Sequence, residues 1–447
     1  MERGESVAGR LASVWACRDA GDVPADAAEV ARHCVLDWLG CAVAGARQPL
    51  AAIVAATVAG EGPGDATLLA GGSAPARTAA LANGAAGHAL DHDDTHLLLA
   101  GHPTAPVLPA ALAVAEEAGA TGEALLTALV VGVEVECRVG AVLNPEHYAA
   151  GWHATGTIGT IGAAAAVAHL LGLPPEPFTA ALSLAATQAS GLKASFGTMA
   201  KPLHAGVAAA GGVLAARLAA RGFTAEPTVL EAPQGLARAA GGADLDQDRL
   251  DRLDRLDGRW VVRDTLFKHH AACYLTHAAI EAGRRLAGQV GAGDVAAVEV
   301  HVAPSSLDVC AIPEPASGLE LKFSLRATTA LALLGEDTTD PATYDDGRAR
   351  DPRLVALRDR VTVVPDPDRS PTCTKVVVHT IGGDRLEAED DTSRPATDLA
   401  AQLAGLEAKH RALVGPVLGT ARADELVATV AGLPSLPSAR SLTAGLG

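Results

Sequence analysis

Three aspartates and three histidines fall within the fifteen residues ALDHDDTHLLLAGHP, positions 89–103. That density supports three chemistries. On a helix, His92 and His96 at i and i+4 turn toward one point, and Asp93 or Asp94 completes a mixed nitrogen and oxygen shell around a metal ion. Alternatively, Asp91 or Asp94 caps a helix that begins near Thr104. In the third reading the run LLLAG ends in a loop that carries His102 back toward the aspartates, which makes a proton-transfer site without a metal.

Three further segments carry groups of the same kind. In GWHATGTIG (151–159) His153 stands ahead of a helix whose exposed amides and positive end suit a carboxylate; a cap or core partner is the plainer role. In SGLKASFGTMAKPLHAG (190–206) Lys193 and Lys201 lie among small apolar residues, with His204 three residues after Lys201. An ammonium at a helix N-terminus is unfavourable unless an anion neutralises it, so Lys201 faces either a substrate carboxylate or an aspartate of the first segment. In TLFKHHAACYLTHAAIEA (265–282) Lys268, His269, His270, Cys273 and His277 crowd the start of a helix, with Cys273 and His277 at i and i+4. Cys273 reads as a thiolate nucleophile with a histidine partner, or as an acid or base facing substrate.

The elements that must bring these segments together are mostly helices. Leu, Val and Ala recur at three- and four-residue steps over 25–43, 76–90, 105–118, 123–142, 155–171, 177–190 and 202–221, with Gly or Pro between most of them. Gly156, Gly159 and Gly162 lie three apart on one helical face, where a neighbour can approach closely. After about residue 258 the pattern changes: 294–302, 360–364 and 374–380 read as strands, with helices at 273–288 and 319–334 between them. Residues 259–394 are therefore expected to form an α+β unit, and 1–258, completed by 395–447, an all-helical one.

Composition supports that division. The chain of 447 residues is about three times the ~150-residue prior for one domain. Its apolar share is 49% with aromatics at only 3%, so the core is built from Ala, Val and Leu and the chain is mainly α. A formal charge of −17 excludes a nucleic-acid footprint and requires that an anionic substrate be met by local cations. Only six lysines stand against 29 arginines, so each lysine within a candidate site is informative. Seven scattered cysteines without CxxC fit reduced thiols. Arg10 interrupts the apolar residues of the N-terminus, which reads as mature cytoplasmic protein. Residues 148–175 lack charge, but their Ala, Gly and Thr content favours a buried core helix over a membrane span.

DHDDTH…HP, GWHATGT, GTMAKPLHAG and the K…CYLTH segment, in this order, resemble the MmgE/PrpD family over roughly 5–435. The resemblance implies a large all-helical domain with a smaller α+β lid domain, a homodimer and no cofactor. It places the family's active-site aspartate and threonine at Asp91 and Thr95, its histidines at His102 and His153, and its lysines at Lys201 and Lys268. Two positions depart from the family's decarboxylase pattern: Cys273 replaces a histidine, and Val309 and Cys310 stand where a tyrosine is found.

The implied reaction breaks a bond beside a carboxylate-bearing carbon, as in the elimination of water by a 2-methylcitrate dehydratase. Isomerisation or epimerisation, or decarboxylation, by the same groups is the alternative, and a metal-dependent hydrolase using His92, His96 and Asp93 is a rival of another class. The expected roles are carboxylate binding by Lys201 and Lys268 and proton exchange by His102 and His153. Asp91, with Asp94 behind it, orients a histidine; Thr95 hydrogen-bonds substrate, Asp94, His204 and His277 are further candidates for substrate contact, and Cys273 for catalysis. No metal and no cofactor is expected.

Overall fold

The computed structural model describes residues 6–242 and 244–446. Counting helices of nine residues or more, the N-terminal part contains α1 (Val7–Trp15), α2 (Ala25–Gly45), α3 (Pro49–Val58), α4 (Ala76–Gly87), α5 (Thr104–Ala118), α6 (Gly122–Leu143), α7 (Ala154–Leu170), α8 (Pro175–Ala186) and α9 (Ala200–Ala219). The second part has α10 (His277–Ala287) and α11 (Leu325–Leu333), and the chain continues with α12 (Leu399–Leu418) and α13 (Thr420–Ala431). The protein is mainly α, with a smaller α+β domain.

Helix α7 is the hub of the first part: residues 154–168 are all buried, against α5, α6, α8 and α9. Small residues make that crowding possible. Gly159 faces Pro106 of α5, Gly156 faces the Ser190 carbonyl, and a Cβ added at Gly162 would lie 2.6 Å from Glu136 Oε2 of α6. The glycine face therefore serves three neighbours. Gly84 of α4 and Gly206 of α9 likewise meet backbone to backbone, with a Cβ at Gly84 only 2.9 Å from Gly206 Cα. That contact lets α9 pass close beneath α4 and sets its first turn, which carries Lys201, beside the chain leaving α4.

The second part is built on a four-stranded sheet: β1 (Val295–Val302), β2 (Val361–Pro365), β3 (Cys373–Thr380) and β4 (Arg385–Asp391), in the order β2-β1-β3-β4. Strand β1 runs parallel to β2, with Val298 opposite Val361, and antiparallel to β3, with Val298 opposite Val378. Its alternating valines share a core of their own with residues of α10 and α11. Strand β4 was not expected, because RLEAEDD is highly charged; it is an edge strand, where charge discourages further pairing. The helix expected at 319–334 breaks after Leu321 and restarts at Leu325, because Ser324 caps α11 by accepting from the Ala327 amide at 3.2 Å.

Among the described residues two large hydrophobic cores result, with two small clusters beside them. One gathers residues from Val7 to Phe267 and then Leu406 to Leu442; the other runs from Ala271 to Val378. Helix α12 packs along α2, so the end of the chain returns to the helical layer.

Gly162→Ala tests the glycine face. The methyl meets Glu136 in a filled core, and we expect a loss of about 1–3 kcal/mol in unfolding free energy with helix content unchanged, measured by denaturant titration.

Candidate active site

The segment 89–103 is a loop, not a helix. After α4 ends at Gly87 the chain turns through Asp91, whose φ of +51° is left-handed, and folds back on itself. The His96 amide donates to the Gly101 carbonyl at 2.9 Å and the Thr95 hydroxyl to the same oxygen at 3.0 Å. This reversal returns His102 to the aspartates. Short backbone bridges then join the separate segments: Thr95 pairs with Leu266, Trp152 with Leu192, and the Thr155 hydroxyl accepts from the His102 amide at 3.0 Å.

Asp91 is the electrostatic centre. Its Oδ1 accepts from Lys201 Nζ at 2.8 Å and from Lys268 Nζ at 2.6 Å, with all three side chains buried. Burial alone would raise the Asp91 carboxyl, but the two ammoniums outweigh it and hold the group well below the usual carboxylate range. Lys268, despite burial, is held above its ordinary value by Asp91. The salt bridge considered for Lys201 is thus present, and one carboxylate is shared by two cations.

Around this centre the imidazoles are neutral. Burial first, and the Lys268 ammonium second, push His102 well below 6.5; burial and Lys201 do the same to His153. His102 Nδ1 lies 2.7 Å from the Asp94 carbonyl, which can only accept, so the ring hydrogen is on Nδ1 and Nε2 carries a lone pair 3.6 Å from Asp91 Oδ1. His153 Nδ1 lies 3.1 Å from His204 Nδ1, while its Nε2 is buried without a partner, as is Asp91 Oδ2. Unpartnered buried polar atoms beside paired cations are what a site awaiting a polar ligand presents.

A cavity of about 320 Å³ is lined by His102, His153, Lys201, Cys273 and Thr95, closed by Tyr148 and Phe196. Larger cavities lie elsewhere, about 460 Å³ beneath Trp15 and Trp260, about 360 Å³ beside Arg326 and about 510 Å³ beside Lys409, but none of the three is lined by Lys201 or backed by Lys268 and Asp91. Lys268 and Asp91 stand directly behind the lining residues. The Cys273 thiol is lowered by a hydrogen bond with Cys310, against the opposing effect of burial.

Three expected substrate contacts are corrected. Asp94 points away from the cavity: its Oδ1 accepts from the Thr104 amide at 3.3 Å and its Oδ2 from the Thr104 hydroxyl, so it caps α5. His277 is buried against His270 and Tyr274, 3.2 Å from the Ala272 carbonyl, and does not reach the cavity. His204 acts on His153 rather than lining the site. The metal reading of His92 and His96 also fails on geometry. His96 Nε2 is 2.8 Å from the Val261 carbonyl, whereas His92 borders the separate cavity beside Lys409. Potential ligand atoms of His88, Asp91, Asp93 and His102 do lie within 4.8 Å of one another. Lys201 and Lys268 already neutralise Asp91 there, and a divalent ion would sit against two ammoniums.

Two family descriptions cover most of the chain: the MmgE/PrpD N-terminal domain matches residues 9–248 and the MmgE/PrpD C-terminal domain residues 270–433. The chain belongs to the MmgE/PrpD family. Among similar proteins, a cis-aconitate decarboxylase of Aspergillus terreus is 30% identical over 93% of this chain and 90% of its own length. The human cis-aconitate decarboxylase is 27% identical over 83% of this chain and 79% of its own. A 2-methylcitrate dehydratase of Cupriavidus necator is 28% identical over 76% and 73%. These MmgE/PrpD relatives are enzymes acting on small carboxylates.

The structure adds residues to this MmgE/PrpD site that the sequence reading passed over. His88, the residue that follows α4, puts Nδ1 2.9 Å from Asp93 and stacks over His153 with ring centres 5.8 Å apart. Lys322 donates to the Leu90 carbonyl and Lys409 to that of His92. Burial lowers Lys322 to about 8. Lysine scarcity was the available signal: of six lysines, only Lys375 lies away from this cluster, in β3.

Two outcomes follow from these ionisations. Burial, then Asp37, pushes Asp94 up to about 7, so the folded state keeps a proton that the unfolded chain releases near 3.8, and stability declines as pH rises through 7. Asp94→Asn keeps the cap without the charge. We expect its melting temperature to exceed wild type by a margin that widens between pH 4 and pH 7 and levels off at about 2–4 °C by pH 8, with turnover within about threefold. Because the free enzyme's imidazoles stay neutral below 6.5, kcat/KM should hold constant as pH falls through 6.5 and decline only at lower pH. A pH–rate profile with an acid limb at 6.5 or above would contradict the assignment.

Proposed function

We propose that the protein is a lyase that removes water from a small hydroxy acid by acid and base catalysis, without a cofactor. The observation that carries this reading is the convergence of neutral His102 and His153, the latter with an unpartnered Nε2, on Lys201 and the Lys268 ammonium behind it, beside one cavity.

A substrate carboxylate enters against Lys201, with the Lys268 ammonium behind it, and the amides at the start of α7, where negative charge building up on it during proton loss is stabilised. His102 Nε2 takes the proton from the adjacent carbon. The imidazolium that forms is stabilised by Asp91 at 3.6 Å, and the Asp94 carbonyl keeps the ring in the acceptor tautomer beforehand. His204 donates through Nδ1 to His153, which leaves the His153 hydrogen on Nε2; that hydrogen passes to the departing hydroxyl, which leaves as water, while the His204 hydrogen moves onto His153 Nδ1, and the proton taken by His102 returns to His204 through solvent. Thr95 lines the cavity and offers its hydroxyl oxygen to the substrate, and Cys273 shapes the opposite wall.

Decarboxylation is the second reading, favoured by the extent of the match to the Aspergillus terreus enzyme. There the same cations hold a carboxylate while another departs as carbon dioxide, and a histidine delivers a proton to carbon.

The deciding experiment incubates the purified protein with citrate-like hydroxy acids and with unsaturated tricarboxylic acids in deuterated water and identifies products by NMR. Loss of water supports the first reading, loss of carbon dioxide the second; solvent exchange with neither points to an isomerase. No turnover of any acid sinks all of them. Lys201→Met and His153→Gln should each lower kcat/KM at least about 100-fold while circular dichroism shows the helix content of wild type. A variant keeping more than a tenth of wild-type activity removes that residue from its role.

A further inference from the structure

Lys409 lies far along the chain from every segment of the site, on α12, yet its ammonium ends against the active-site loop. All three of its hydrogens are used: Asp37 Oδ1 of α2 accepts at 2.6 Å, the Lys268 carbonyl at 2.9 Å, and the His92 carbonyl takes the third. Both charged side chains are buried, with 8% of Lys409 and 1% of Asp37 exposed. An ammonium desolvated to that degree is tolerable only when every donor is satisfied, so its partners are fixed relative to one another.

Those partners matter because of where they sit in the chain. His92 follows Asp91 directly, and the Lys268 carbonyl belongs to the residue whose ammonium grips Asp91. Lys409 thus clamps the main chain on both sides of the Asp91–Lys268 ion pair, at a point where Asp91 is held at a φ of +51°. Nothing in its position lets it touch a substrate in the cavity, whose walls it does not reach.

We propose that Lys409, held by Asp37, is a positioning residue that sets the Asp91–Lys268 pair for catalysis; the proposal rests on the role given to that pair above. A group acting this way is silent once the pair is already broken.

The test is a double-mutant cycle of Lys409→Met and Lys268→Met, read on kcat/KM and, independently of turnover, on the calorimetric affinity for tricarballylate, an unreactive tricarboxylate. Lys409→Met alone should lower kcat/KM by about 10- to 100-fold, the scale of a misplacement near 1 Å. In the Lys268→Met background the same change should cost less than about threefold in either quantity. An equal loss in both backgrounds, or a single variant within threefold of wild type, overturns the proposal. If Lys409→Met does not accumulate folded, Asp37→Asn/Lys409→Met, which removes both charges of the pair, takes its place in the cycle. Turnover absent but tricarballylate affinity coupled as described refutes the proposed reaction and leaves the positioning role standing. Absence of both turnover and binding by wild type overturns the two together.

Discussion

One carboxylate oxygen shared by two buried ammoniums governs this protein. Asp91 Oδ1 could not stay ionised at that depth without Lys201 and Lys268, and it in turn holds the Lys268 ammonium above its ordinary value. The pair leaves a net positive charge facing a cavity in a chain of formal charge −17. The same cations, added to burial, keep His102 and His153 neutral and therefore able to accept or donate protons near neutral pH.

The rest of the molecule can be seen as the means of holding that centre. Lys201 arrives on α9 because Gly84 and Gly206 let two helix backbones meet. Lys268 arrives from the start of the second domain, bridged through Leu266 to Thr95. Lys322 and Lys409 grip the carbonyls of Leu90 and His92, so three consecutive residues are each tied to an ammonium from a different part of the chain. A core of Ala, Val and Gly suits this purpose. Small side chains let helices approach closely, and the groups at their ends are placed by backbone contacts.

Much of this was legible in the sequence. Helical periodicity located α2 and α4 to α9, and alternating valines located β1, β2 and β3. Asp91, Thr95, His102, His153, Lys201 and Lys268 were singled out, and they gather at one site; lysine rarity pointed the right way for Lys201 and Lys268. Strand β4 was hidden because an exposed edge strand need not be apolar, and the break before α11 was hidden because one serine cap decides it. Asp94 took the helix-capping role that was its alternative reading, and His277 lies outside the cavity, for a different reason. Each is the right chemical type beside true site residues, but adjacent residues in a loop or along a helix point in different directions.

Local order in the chain therefore determined what the sequence by itself could settle: fold class, the succession of helices and strands, and which segments hold titratable groups, since periodicity and residue type act over a few positions. Only the tertiary structure decided which carboxylate is gripped by the lysines, which ring nitrogen carries hydrogen, and that Lys409 from the far end of the chain belongs to the site. Those outcomes depend on burial and on distances between residues hundreds of positions apart, and one-dimensional spacing carries neither.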